Sequence, residues 1–367
     1  MAAGFCVFCG QRPESKTREH VIPAWLIELT GDPRRKVKIG LDLTSTPPLK
    51  MREFAFDSFT FPACKECNSS FSDLECRVKT ILAHMLDRQP LTFVDLTIFM
   101  DWLDKVRVGL WLGGIMLNKN CQGVRPSFHI IQRIGSADRL VAVYETSDDN
   151  WKGLTWGGTD SPVFHFMPSC FSLTINRFCF VSVSSDFLFA QRIGLSYPEA
   201  RYFDEAGSHR VSLAPGTKTL SLPLFSYDFG AACRLIWQPA IPWRQLMPGG
   251  PDSDPLGLYD NDYVRDMCLD YEAGVGKVFT ATPSGLEAFS GLGSTCWLPS
   301  FTQSRGEVVW RSAVAVFEIL GQLYRAQPSL ELLSQAERRR VQHVTDMTLK
   351  AHEALTRNII AQKDLWF

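Results

Sequence analysis

Over the first quarter of the chain, apolar residues come in short runs broken by polar pairs, and no single period persists. Pro23 can open a short helix over Ala24–Leu29, which Gly31 stops. Lys36–Leu43 and Glu53–Phe61 read as the two arms of an enlarged hairpin. After Asn68 a helical period sets in: Phe71, Leu74, Val78, Ile81, Leu82 and Met85 form one apolar face and leave Asn68, Ser72 and Glu75 on the polar one. The period lapses over Asp87–Leu96 and resumes from Ile98 to Leu117, where Trp102, Val106, Leu110 and Leu117 share a face. A domain boundary is expected within residues 88–95.

Residues 124–200 are dominated by β-formers, in His129–Ile134, Arg139–Tyr144, Phe171–Ser182 and Phe187–Ile193, which predict a mixed sheet. Pro239–Pro255 is rich in Pro, Gly and Asp and reads as a long surface loop. Two helical segments follow, Val308–Ala326 and Ser329–Ala361, broken at Gln327–Pro328. At 367 residues the chain exceeds the usual size of a single core. The expectation is an α+β protein with a domain at residues 1–90 and a larger mixed α/β domain at 91–367, β-rich over about 124–200 and ending in long helices over about 307–363.

Composition changes this picture in two ways. With 38 Lys and Arg against 39 Asp and Glu, the net charge of -1 excludes a broadly basic nucleic-acid binder, so any phosphate contact has to be local. Arg34, Arg35, Lys36 and Lys38, set against Asp32, form one candidate patch, and Arg338–Arg340 another; solvated surface charge is the alternative for both. Eleven cysteines without a secretory leader point to a reducing, cytoplasmic setting. The longest apolar run, Val108–Leu117, is too short to span a bilayer, so no membrane association is expected.

Candidate chemistry lies in the N-terminal quarter. Cys6-x-x-Cys9 and Cys64-x-x-Cys67 are two knuckles whose four thiolates can complete a structural zinc site; buried cysteines are the alternative. Glu19-His20 sits between them. An imidazole can take a proton from water, and a neighbouring carboxylate can hold a hard divalent cation. Asn68 and Glu75 are two helical turns apart and can look toward one site. Glu75 also stands at capping-box spacing from Ser72, as Asp73 does from Ser70, so helix capping is an open alternative for it.

The order Cys6-x-x-Cys9, Glu19-His20-x-x-Pro23-x-Trp25, then Cys64-x-x-Cys67-Asn68 and a helix resembles the HNH endonucleases of ββα-metal fold that carry a four-cysteine zinc staple. The resemblance covers about residues 5–88. It implies an N-terminal ββα-metal (HNH) module with a four-cysteine zinc site, metal-dependent hydrolysis of phosphodiester bonds in nucleic acid, DNA ahead of RNA, His20 as general base, and Mg²⁺ or Mn²⁺ held by Glu19 and Asn68; Glu75, which can look toward the same site, is a further candidate ligand. The middle Asn of that family is missing, since no Asn lies between His20 and Cys64; Asp57 or Ser58 is the expected substitute. The resemblance also implies an effector in phage defence or a mobile element, with the C-terminal domain regulating or targeting it. The competing expectation is a non-catalytic zinc-binding module on a degenerate HNH frame, recognising nucleic acid or protein.

Outside this module no ligand spacing emerges. Cys121, Cys170, Cys179, Cys233, Cys268 and Cys296 read as packing residues, as do the scattered histidines. The terminal helices, with Val314, Phe317, Leu320 and Leu323, can pack within the chain or form a homodimer.

Overall fold

The computed structural model describes residues 5–13, 15–41, 51–58, 60–120, 123–135, 138–185, 197–203, 209–214, 233–238, 268–270, 275–282, 285–289, 291, 293–296, 298, 303–326 and 334–363. Phe187–Ile193 and the segment Pro239–Pro255, expected as a strand and a loop, lie outside them. In the N-terminal quarter, β1 (Lys16–His20) is followed by α1 (Ala24–Leu29), the antiparallel pair β2 (Lys36–Leu41) and β3 (Met51–Ala55), and a 3-10 turn at Phe56–Ser58. β4 (Thr60–Cys64) then pairs antiparallel with β1, placing His20 opposite Thr60 and Glu19 opposite Phe61. α2 (Lys65–Leu86) leaves β4 without a connecting loop.

α1 has the expected bounds because Pro23 fixes its entry and the Thr30 hydroxyl, donating to Leu26 O at 2.7 Å, closes its last turn. α2 begins at Lys65, with Cys64 as its N-cap, so Asn68 is already helical. The hydroxyls of Ser70 and Ser72 donate back to the carbonyls of Cys67 and Ser69, which makes neither serine a cap and removes capping as the role of Glu75.

β5 (Leu91–Thr92) leads into α3 (Phe93–Leu117) through a reciprocal cap: Asp95 N–H donates to Thr92 Oγ1 at 3.1 Å, and Thr92 N–H to Asp95 Oδ2 at 2.9 Å. α3 is buried continuously from Trp102 to Gly113. On its N-terminal-module side, Gly109 and Gly113 form a notch one turn apart. A Cβ at Gly109 would sit 2.8 Å from Val21, and one at Gly113 would sit 2.5 Å from the Phe61 ring. The two sides of the expected boundary thus meet in one apolar core.

His129–Ile134 does not form the expected strand. It is α4 (Ile130–Arg133), a single turn whose Ile130 and Ile131 N–H groups donate to Val7 and Phe8 O at 3.3 and 3.0 Å, so docking on the first knuckle outweighs β propensity. The main sheet contains β6 (Asp138–Glu145), β7 (Leu154–Gly157), β8 (Cys170–Ile175), β9 (Phe178–Ser185), β12 (Arg234–Gln238), β15 (Phe279–Thr282) and β16 (Gly285–Ala288), in the order β16-β15-β12-β6-β9-β8-β7. α5 (Pro162–Phe166) lies between β7 and β8 in the chain. Every neighbouring pair in this sheet is antiparallel, where a mixed sheet was expected. The β-former stretch Phe171–Ser182 spans a hairpin, because Asn176 at φ +49° turns the chain, a conformation Asn tolerates. Two-stranded pairs account for the rest: β10 (Tyr197–Phe203) with β11 (His209–Ala214), β13 (Cys268–Asp270) with β14 (Val275–Gly276), and β17 (Thr295–Cys296) with β5.

All residues of β6, β8 and β9 are buried, which requires cover on both faces. Phe180 packs on Phe99 of α3 at 4.8 Å, while its neighbour Cys179 faces Ser312 of α6 (Arg305–Arg325). Side chains alternate along a strand, so the two helices flank the sheet. α7 (Gln335–Ala361) packs against α6 and α5. Phe317, Leu320 and Leu323 of α6 are therefore buried inside the chain, and Val341, Val344 and Met347 of α7 are exposed. No helix among the described residues is long and apolar enough to cross a membrane.

His352 of α7 is buried, its Nε2 2.7 Å from Phe317 O and its Nδ1 2.8 Å from Ser161 Oγ. Nε2–H donates to the carbonyl, and in the neutral ring Nδ1 accepts the serine proton. Burial, reinforced by the charge of Arg325, holds its pKa below the ordinary histidine value.

Two outcomes follow from this packing. Gly113→Ala should destabilise the protein by about 1–3 kcal/mol through overpacking against Phe61, read by chemical denaturation. The stability that neutral His352 contributes should be complete above about pH 6.5 and be lost as pH falls through its lower folded pKa. Denaturation midpoints between about pH 8 and about pH 5 should show this decline, and His352→Gln should reduce it, leaving the part that burial of His129 and His165 contributes.

Candidate functional site

The four cysteines come together from both ends of the N-terminal module. In the first knuckle, Gly10 N–H donates to Cys6 O at 2.9 Å with Gly10 at φ +76°, where a side chain would also strike the ring of His129. In the second, Cys64 ends β4 and Cys67 sits in the first turn of α2. The strand pairing brings the knuckles together, and Val7 N–H fastens the first to Pro62 O at 3.1 Å. All four sulfurs lie within 4.8 Å of one another.

This donor set fits zinc. A tetrahedron with Zn–S bonds of about 2.3 Å has edges of about 3.8 Å, and Cys9 Sγ and Cys64 Sγ are 3.8 Å apart. Burial and the neighbouring sulfurs push the Cys64 thiol up to about 12, and Cys67 is also raised. Burial raises Cys6 as well, but backbone N–H groups outweigh it, including Cys64 N–H at 3.2 Å from the sulfur, and lower its pKa. A dication would supply the charge that lets four crowded sulfurs ionise together.

The polar residues beside this centre are arranged differently from what the spacing suggested. Alternation along β1 places Thr17 and Glu19 on the face toward α2. Asn68 Nδ2 donates to Thr17 Oγ1 at 3.3 Å. Glu19 is buried, and its Oε1 accepts from Lys105 Nζ of α3 at 2.6 Å. The same ammonium donates to Glu75 Oε1. Lys105 is completely buried, and its charge also lies 5.7 Å from the Phe8 ring centre. Burial holds the Glu19 carboxyl above the ordinary glutamate range, against the pull of Lys105.

Glu19 and Glu75, both candidate cation ligands, are thus brought together, but around an ammonium. A dication within about 4 Å of that charge would meet repulsion on the order of 8 kcal/mol at an effective dielectric of about 20. These residues do not fit a Mg²⁺ or Mn²⁺ site. His20 is half-buried at the end of β1. The Asp57 side chain lies outside the described residues, and Ser58 Oγ donates to Ala55 O at 2.7 Å.

The basic segment separates into different roles. Arg35 turns inward: it donates to Ile27 O at 3.1 Å and Thr30 Oγ1 at 2.9 Å, and stacks over Phe56 at 4.5 Å. Lys36 pairs with Glu53 at 2.9 Å, and Arg34 is exposed near Asp32. The Lys38 side chain lies outside the described residues. Among the described residues, Arg34 and Lys36 are what this segment offers to a phosphate.

Lys105 escaped the sequence reading, although a signal was present. Asp101, Asp104, Lys105 and Arg107 interrupt the most apolar helical stretch of the chain, and charges in such a place need buried partners.

Purified protein should contain one zinc per chain by elemental analysis. Cys67→Ser should lose it and unfold the N-terminal module at lower denaturant concentration, because the metal joins segments more than fifty residues apart. Comparison with protein-family models, curated proteins and solved structures returned no match.

Proposed function

We propose that the N-terminal module acts on nucleic acid, preferentially DNA, as an HNH-type phosphodiester hydrolase. The observation that carries this reading is the β1–β4 ribbon followed directly by α2. It sets Glu19-His20 on one strand, Asn68 on the helix behind it, and the cysteine cluster at the ribbon's end. His20 lies at a strand end and is partly exposed, so its imidazole can reach a water molecule and draw a proton from it as that water attacks phosphorus. The zinc centre is architectural in this scheme. Arg34 and Lys36 on the exposed loop would add phosphate affinity without sequence choice. Residues 91–367 would regulate or target the module, in keeping with an effector role in phage defence or a mobile element.

A second reading, non-catalytic recognition of nucleic acid or protein on the same frame, draws support from the pairing of Glu19 with Lys105. One experiment separates the two. Plasmid DNA is incubated with wild type and His20→Ala, with and without added Mg²⁺ or Mn²⁺, and binding is measured in parallel. The hydrolase reading expects cleavage to fall by about 10²–10⁴-fold in His20→Ala, the usual contribution of a general base. Equal cleavage by both proteins would remove His20 from the mechanism, and DNA binding without cleavage by wild type would establish the second reading.

A further inference from the structure

The Glu19–Lys105–Glu75 cluster has the form of a cation site whose cation belongs to the chain. Its two carboxylates come from different elements, β1 and α2, and are fifty-six positions apart in sequence. The charge between them comes from a third element, α3, and its Nζ is withdrawn from solvent. The carboxylates are not equally enclosed: the Glu19 side chain is 7% exposed and that of Glu75 is 21% exposed. The carboxylate side therefore reaches the surface while the ammonium side faces the core.

We propose that Lys105 is a built-in counter-cation that occupies the place of a divalent ion between Glu19 and Glu75, and so makes this site independent of added metal. Three formal charges, two negative and one positive, leave the cluster at -1. Two carboxylates without the ammonium would carry -2, which a dication neutralises. Lysine achieves the partial neutralisation with a compact point charge whose donors can turn to both oxygens. It also ties α3 to the ribbon and to α2, so charge balance and the docking of the N-terminal module on the rest of the chain become one interaction. Lys105 is a positioning residue in this account: it fixes the Glu19 side chain on the α2-facing side of β1. The inference concerns ion occupancy and does not rest on the hydrolase reading.

Mn²⁺ binding to the zinc-loaded full chain tests it, followed by the electron paramagnetic resonance of free Mn²⁺ and by the thermal midpoint. Wild type is expected to leave the free Mn²⁺ signal and the midpoint unchanged. Lys105→Met, which keeps the bulk and removes the charge, should bind one Mn²⁺ per chain and gain thermal stability from it, and Lys105→Met/Glu19→Gln should lose that response. Binding of Mn²⁺ by wild type that Glu19→Gln abolishes would overturn the proposal, as would a folded Lys105→Met that ignores Mn²⁺. If Lys105→Met does not fold, the comparison of wild type with Glu19→Gln decides alone. DNA cleavage plays no part in these readouts, so failure of the hydrolase reading would leave them interpretable.

Discussion

A helix buried on every side must satisfy its own charges from within the protein, and α3 imposes that constraint on the whole molecule. Asp104, Lys105 and Arg107 are each at most 2% exposed, in the middle of the helix. Their partners define what α3 can pack against. Lys105 turns to Glu19 and Glu75 in the N-terminal module. Asp104 and Arg107 pair with each other; Arg107 also donates to Pro168 O, and Asp104 accepts from Arg139 of β6 at 2.9 Å. Arg139 reaches further, to Asp101 at 2.7 Å and to Gln238 of β12. Removing one member of such a buried set leaves an uncompensated charge and typically costs about 3–5 kcal/mol. The network therefore disfavours alternative dockings of α3, which would strand at least one charge.

The apolar contacts agree with this assignment. The Gly109–Gly113 notch admits Val21 and Phe61 in the C-terminal half of the helix, and Phe99 meets Phe180 of the sheet near its start. The N-terminal quarter and the sheet thus use the same helix as a floor. A ribbon of two five-residue strands and one helix has little core of its own. It draws stability from two sources, the cysteine cluster at one end and α3 beneath it. Phe8 belongs to both, stacking on Phe71 of α2 at 4.4 Å and lying beside the Lys105 ammonium.

This arrangement gives the two kinds of candidate site in the module different standing. The cysteine cluster has four like ligands at metal-compatible separation. The carboxylates have an ammonium already seated between them, so the residue pattern that resembles an HNH centre is present while its ionic content differs. A functional reading built on Glu19, His20 and Asn68 consequently puts its weight on His20, the member of the set at a strand end and partly exposed.

The sequence by itself determined what depends on local spacing. The knuckles, the helix between Pro23 and Gly31, the period of α2 and the two terminal helices all follow from patterns within a few turns, because capping, proline geometry and 3.6-residue recurrence act over that range. It misread His129–Ile134, whose conformation is set by carbonyls of Val7 and Phe8 more than a hundred residues away. Only the tertiary structure decided the partner of Glu19 and Glu75. Two carboxylates at the right positions predict that a cation sits between them, but whether that cation is a metal or a lysine depends on which helix packs there. That choice is made by contacts eighty-six residues apart in the chain, which no local period encodes.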